Sequence, residues 1–194
     1  LAALVERAEI LGLAVLDAAS SSGQCMQFDG PDRWSRLQDE LLRWAPRELV
    51  VRKALAAQAP FGALVGDLPK TVISQHTCTP KRAKAGLTKA LGVADLGHLD
   101  LDASGTALEA AGLGVDYLTT MLHANVALVD LDVAEDQGAM VLDRTTLRNL
   151  EVISTLAGEH EGSLLAAVGR CRTAMGRRRL KAWLLRPLND LAAI

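Results

Sequence analysis

Arg177, Arg178 and Lys181 are spaced so that one face of a helix carries all three, with Arg179 apart from them. Cations grouped in this way can pair with the phosphates of a nucleic acid. With a formal net charge of −2, the chain as a whole has no attraction for a polyanion, so any such contact needs a local patch. Residues 170–186 are the strong candidate. A few carboxylates could do other chemistry. Asp17 closes an apolar run, where a nuclease could hold a metal, with Asp29 or Asp32 as partners. Turn formation accounts for these aspartates more simply.

Other reactive patterns do not assemble. The chain has no GxxxxGK[ST] and no GxGxxG, so no phosphate-cradling loop exists for ATP or a dinucleotide. His76 and Cys78 stand two apart, but no second pair comes after them at a zinc-like spacing. The acidic runs 95–102 and 130–136 lack the ligand order of a calcium loop. Ser20, Ser21 and Ser22 lie in a turn and not in a GxSxG elbow. These readings leave no catalytic, cofactor-binding or metal-binding residue to assign.

The elements that must position the basic face are legible in part. Asp143 reads as a helix N-cap, with Leu147, Leu150 and Ile153 on a buried face behind it. Thr173 reads as the next cap. Leu180, Trp183 and Leu184 then form one apolar stripe, and Pro187 ends the helix at Arg186. Asn189 could begin another helix. That helix cut short, and the absence of an initiator methionine, suggest a piece of a longer chain.

Near the start, residues 10–16 and 24–28 read as strands joined by a turn over 20–23. Pro31 opens a helix with Trp34, Leu37 and Leu41 on its face; Pro46 ends it, and residues 48–51 form a third strand. Residues 52–103, broken by Pro60, Pro69 and Pro80, read as a linker with short helices. Residues 106–123 predict a helix whose small side chains, Ala107, Ala110, Ala111 and Gly114, admit a close neighbour deep in a bundle. Next come an acidic loop over 126–137 and a short extended segment over 138–142. Alanine and leucine dominate a composition that is 49% hydrophobic and 3% aromatic, which favours helix. No apolar run reaches the roughly 18 residues that would span a bilayer, so no membrane partner is expected. Three dispersed cysteines argue for reduced thiols inside a cell.

Several segments resemble the MutS family of DNA mismatch-repair proteins. LGLAVLDAASSSGQCMQFD and LLRWAPRELVV resemble the second half of the MutS connector domain, including its arginine, proline and glutamate at Arg43, Pro46 and Glu48. ALEAAGLGVDYL resembles the helix that opens the core domain. MVLDRTTLRNLEV matches a core motif through Leu142, Asp143, Thr146, Asn149, Leu150 and Glu151. GSLLAAV and TAMGRRRLKAWLLRPL match the family's next helices, through Gly162, Ser163, Thr173, Gly176, Trp183 and Pro187. EGSLL, the cysteine of VGRCRTAMG and SSSGQ in place of a bacterial STGEF turn resemble the large subunit of the eukaryotic heterodimer MutS-alpha.

The resemblance implies a mainly α fold: a partial ribonuclease-H-like α/β connector over 1–75, then a helical core-domain bundle over 76–194. It implies a scaffold that joins a mismatch-reading part to an ATPase part lying elsewhere in the parent. ATP and magnesium would belong to that parent, as would mismatched double-stranded DNA and a second MutS-homologue subunit, in a heterodimer or a homodimer. The location would be nuclear in a eukaryote and cytoplasmic otherwise. A meiotic recombination clamp of the same family, and a ribonuclease-H-like metal-dependent nuclease, are the alternatives.

Overall fold

The computed structural model describes residues 1–66, 68–74, 79–96, 101–121, 123, 126–133, 140, 142 and 144–189, with the backbone alone at 101–104, 130 and 144. The chain forms two compact units, Leu1–Ala134 and Glu135–Ile194. The boundary expected near residue 75 therefore moves: that position lies inside the first unit, because the helices on either side of it pack on one sheet.

The first unit is built on six strands: β1 (Ala2–Arg7), β2 (Ile10–Asp17), β3 (Ser22–Phe28), β4 (Leu49–Arg52), β5 (Lys70–Ile73) and β6 (Asp130–Val133). They lie in the order β5-β4-β1-β2-β3-β6. β1–β2 and β2–β3 are antiparallel; β1–β4, β4–β5 and β3–β6 are parallel. Successive residues of β1 point to opposite faces, and both faces are covered. Ala3 and Val5 join Ala14, Leu16, Cys25 and Val50 under α4 (Pro80–Leu91) and α5 (Leu101–Thr120). Ala2 and Leu4 join Leu11, Leu13, Met26, Leu49 and Val51 under α1 (Arg33–Trp44), α2 (Lys53–Ala56) and α3 (Ala59–Val65). Burial on both sides explains why ILGLAVL reads as a continuous apolar run.

The fold is thus less helical in design than expected: helices on both faces of a mixed sheet, and no bundle, make up this unit. The acidic loop expected over 126–137 contains β6. Residues 52–103 hold a short edge strand and three helices. β1 meets β2 through a two-residue turn in which Ala8 and Glu9 have φ of 49° and 65°. Hairpin turns of this kind favour Asn and Gly, so nothing in the residue types announces it.

Close approach sets the layer on the α5 side. A Cβ on Gly12 would lie 2.2 Å from the Thr106 carbonyl oxygen, and one on Gly112 would lie 2.5 Å from that of Ala83. The small residues of α5 do admit near neighbours; those neighbours are the sheet and α4. Polar ties reinforce the contact. Tyr117 Oη and Thr71 Oγ1 donate to Glu48 Oε1 at 2.7 and 2.6 Å. Arg52 pairs with Glu109 at 2.7 Å and Arg82 with Asp116 at 2.6 Å. Glu48 of the arginine–proline–glutamate motif is therefore a clamp on α5. Arg43 is buried against Glu40, which also accepts from Trp44 Nε1 at 3.1 Å. Burial, with Asp132 adding to it, pushes the Cys25 thiol up to about 12, so it stays protonated at neutral pH.

Gly12→Ala must push α5 off the sheet and is expected to cost about 1–3 kcal/mol, the usual range for overpacking. Gly105→Ala, in open space on the same helix, is expected to stabilise by up to ~1 kcal/mol. Urea unfolding of the two variants checks both signs.

Candidate nucleic-acid interface

The basic face belongs to the second unit, in which α6 (Arg144–Asn149), α7 (Leu164–Val168) and α8 (Ala174–Leu185) are short and joined by tied turns. Leu150 N–H donates to the Thr146 carbonyl at 2.9 Å, closing α6. Glu151 comes next with φ of 49°, turning the chain out of the helix. Its side chain then accepts from Leu156 N–H at 2.7 Å, and its carbonyl accepts from Leu164 N–H at 3.0 Å. One residue thus joins the end of α6, the loop beyond it and the start of α7. This gives a physical reason for glutamate in the motif. Asn149 stands exposed at the end of α6, and Asp143 lies outside the described residues.

Ser163 is fully buried and serves two neighbours. Its hydroxyl donates to the His160 carbonyl at 2.7 Å and accepts from Ala166 N–H at 3.2 Å, capping α7. Gly162 before it has φ of 95°, which glycine adopts without strain. Thr173 caps α8 as expected, accepting from Gly176 N–H at 3.0 Å. A Cβ on Gly176 would come within 3.1 Å of that same hydroxyl, which explains the glycine. α8 ends at Leu185, and Arg186 leaves the helical region (φ −135°, ψ 71°), which the proline after it disfavours. The Pro187 carbonyl accepts from Met140 N–H at 2.8 Å.

The apolar stripes differ from expectation. Trp183 is 61% exposed, Leu180 and Leu184 are half-buried, and Leu185 is buried. Trp183 instead lies under the Arg179 guanidinium, 5.6 Å from the ring centroid. Around α6, Leu150 is exposed, Leu147 and Ile153 are half-buried, and Val152 is buried in their place. Helical spacing finds a stripe, but a six-residue helix ends before the stripe does, and the turn at Glu151 rotates the residues beyond it.

Arg177 and Arg178 are exposed on α8, with Lys181 half-buried one turn on. The sequence carries seven basic and no acidic residues between Gly162 and Asn189. The arrangement can attract phosphates. The nuclease alternative loses its geometry. β2–β3 pairing sets Asp17 opposite Ser22 and Leu11 opposite Phe28, so Asp17 and Asp29 flank opposite ends of the strands, about 20 Å apart. Among the described residues no three His, Cys, Asp or Glu converge on a metal position; His76 and Cys78 lie outside them. The sequence has no phosphate-cradling loop of the GxxxxGK[ST] kind. No described helix is long and apolar enough to cross a membrane.

Residues 1–130 match the family model for MutS domain II, and residues 145–194 match that for MutS domain III. The chain belongs to the MutS family. The two matches meet where the two compact units divide. The chain is 36% identical over 187 residues to DNA mismatch repair protein MutS of Symbiobacterium thermophilum, covering 94% of this chain and 21% of that protein. It is 37% identical over 185 residues to the protein of that name from Anaeromyxobacter sp. (strain K), covering 94% and 20%. DNA mismatch repair protein MutS 1 of Halobacterium salinarum is 33% identical over 187 residues, covering 94% and 21%. The chain thus spans about a fifth of the length of these relatives. They are bacterial and archaeal, and lend no support to the finer resemblance to a eukaryotic MutS-alpha subunit.

Trp183→Ala is expected to cost no more than about 1 kcal/mol, the worth of an exposed cation–π pair. Leu185→Ala should cost about 2–5 kcal/mol. Ser163→Ala should cost roughly 1–2 kcal/mol, from the lost cap and the lost hydrogen bond to the His160 carbonyl. Chemical denaturation followed by near-ultraviolet circular dichroism ranks the three.

Proposed function

We propose that this chain is the connector and opening core segment of a mismatch-repair MutS protein, working as a scaffold and not as an enzyme. The carrying observation is the match to domains II and III in order, with named mismatch-repair relatives aligned across 94% of the chain. The physical character of the segment supports this reading. Its first unit is a sheet locked to α5 by close contacts and the Arg52–Glu109 ion pair, suited to passing displacement without deforming. Its second unit is a set of short helices joined by capped turns. In the longer protein the segment would link a DNA-reading part to an ATP-hydrolysing part. ATP and magnesium act there and not on this chain. Mismatched duplex DNA and a second MutS subunit are the partners, and bacterial and archaeal relatives favour the cytoplasm.

On this reading Arg177, Arg178 and Lys181 contact duplex phosphates weakly. Phosphate contacts carry no sequence information, so the chain should bind matched and G·T-mispaired duplexes alike, with affinity falling steeply as salt rises. Arg177→Gln with Arg178→Gln should weaken binding to both duplexes equally. Titration at two salt concentrations tests this. A preference for the mispair that survives high salt would mean that the segment reads bases, and would end the scaffold assignment.

A further inference from the structure

We propose that the exposed face of α4 is a second docking surface for the phosphate backbone of duplex DNA, carried by Lys81, Lys84 and Lys89. The inference rests on the reading of the chain as part of a DNA-handling protein, but its observations come from the first unit.

α4 has one apolar face, Ala83, Leu87 and Ala90, buried under the sheet-side core. Arg82 is paired with Asp116 of α5. Lys81, Lys84 and Lys89 are exposed, and among the described residues none of them makes an ion pair. The helix contains no acidic residue. The helix gains from Lys89, which stands in its last turn, but not from Lys81 and Lys84. Lys81 stands in the first turn, where the helix macrodipole disfavours a cation. Lys81 and Lys84, three residues apart, repel each other across the helix surface.

The surrounding charge runs the other way. Residues 1–134 hold 16 Asp and Glu against 12 Lys and Arg, so the unit is acidic overall, yet α4 is purely basic. A purely basic helix face whose charges in the first two turns oppose the helix, within an acidic unit, is accounted for by an external polyanion. Three ammonium groups along about 12 Å of helix, at 1.5 Å per residue, face a duplex that offers a phosphate every ~1.7 Å of axis. No base-reading geometry is present, so the contact is electrostatic and blind to sequence.

The test compares the parent chain, Lys81→Gln/Lys84→Gln/Lys89→Gln and Arg177→Gln/Arg178→Gln, each titrated with a matched duplex across a salt series. Thermal melts confirm that each variant folds; the triple variant should melt close to the parent, since relief of repulsion at Lys81 and Lys84 offsets the loss of the helix-end charge of Lys89. Loss of three phosphate contacts should reduce the slope of log affinity against log salt by about 2–3. The double variant should keep the contribution of α4. A triple variant with the parent's affinity and slope overturns the α4 surface while leaving α8 standing. A triple variant that loses binding to polyglutamate but not to DNA assigns the face to an acidic polypeptide, and also overturns it. Failure of the parent to bind duplex at low salt removes both surfaces.

Discussion

The near-contact of α5 with the sheet is the feature from which the rest of the first unit takes its geometry. Gly12 lets the helix backbone at Thr106 rest against β2, and Gly114 sits among Leu16 and Ala3. Once α5 lies this low, Tyr117 reaches Glu48 and Glu109 reaches Arg52. Gly112 then lets α4 come equally close on the far side. Small residues supply little apolar area each. Their value is the dense packing they permit, which keeps dispersion contacts near optimal distance.

The second unit has a different logic. Among its described residues the well-buried side chains are few: Val152, Ser163 and Leu185. Caps and turns replace a large core. Glu151, Ser163 and Thr173 each satisfy backbone groups that helix ends leave open. The described part of the family motif is therefore mostly a set of helix stops and starts. The basic residues of α8 sit on this frame, and those of α4 on the rigid sheet. Two cationic faces on one acidic chain fit a protein that meets DNA through backbone charge.

Local signals are legible because they act over a few residues. Thr173 and Pro187 bound α8 through one hydroxyl and one ring. Leu37 and Leu41 mark the buried face of α1, and the apolar run from Ile10 to Leu16 marks a strand. The turn at Ala8 and Glu9 is not legible, since neither residue prefers positive φ. β5 and β6 escape notice because KTVI and DLDV are half polar, whereas β4, equally short, begins with the apolar run LVV.

Residue types and spacing alone establish the Thr173 cap, the chain-breaking prolines and the small-residue face of α5, and the resemblance of whole segments points to the family. Packing settles what that face rests on, where the units divide and which apolar residues are core. The reason is range. Caps and periodicity join residues three or four apart, whereas β3–β6 pairing joins Ser22 to Asp130, and β1–β4 pairing joins Ala2 to Leu49. Helical spacing puts Trp183 on a stripe; the fold buries Leu185 beside it, because burial depends on the neighbours that the folded chain places there.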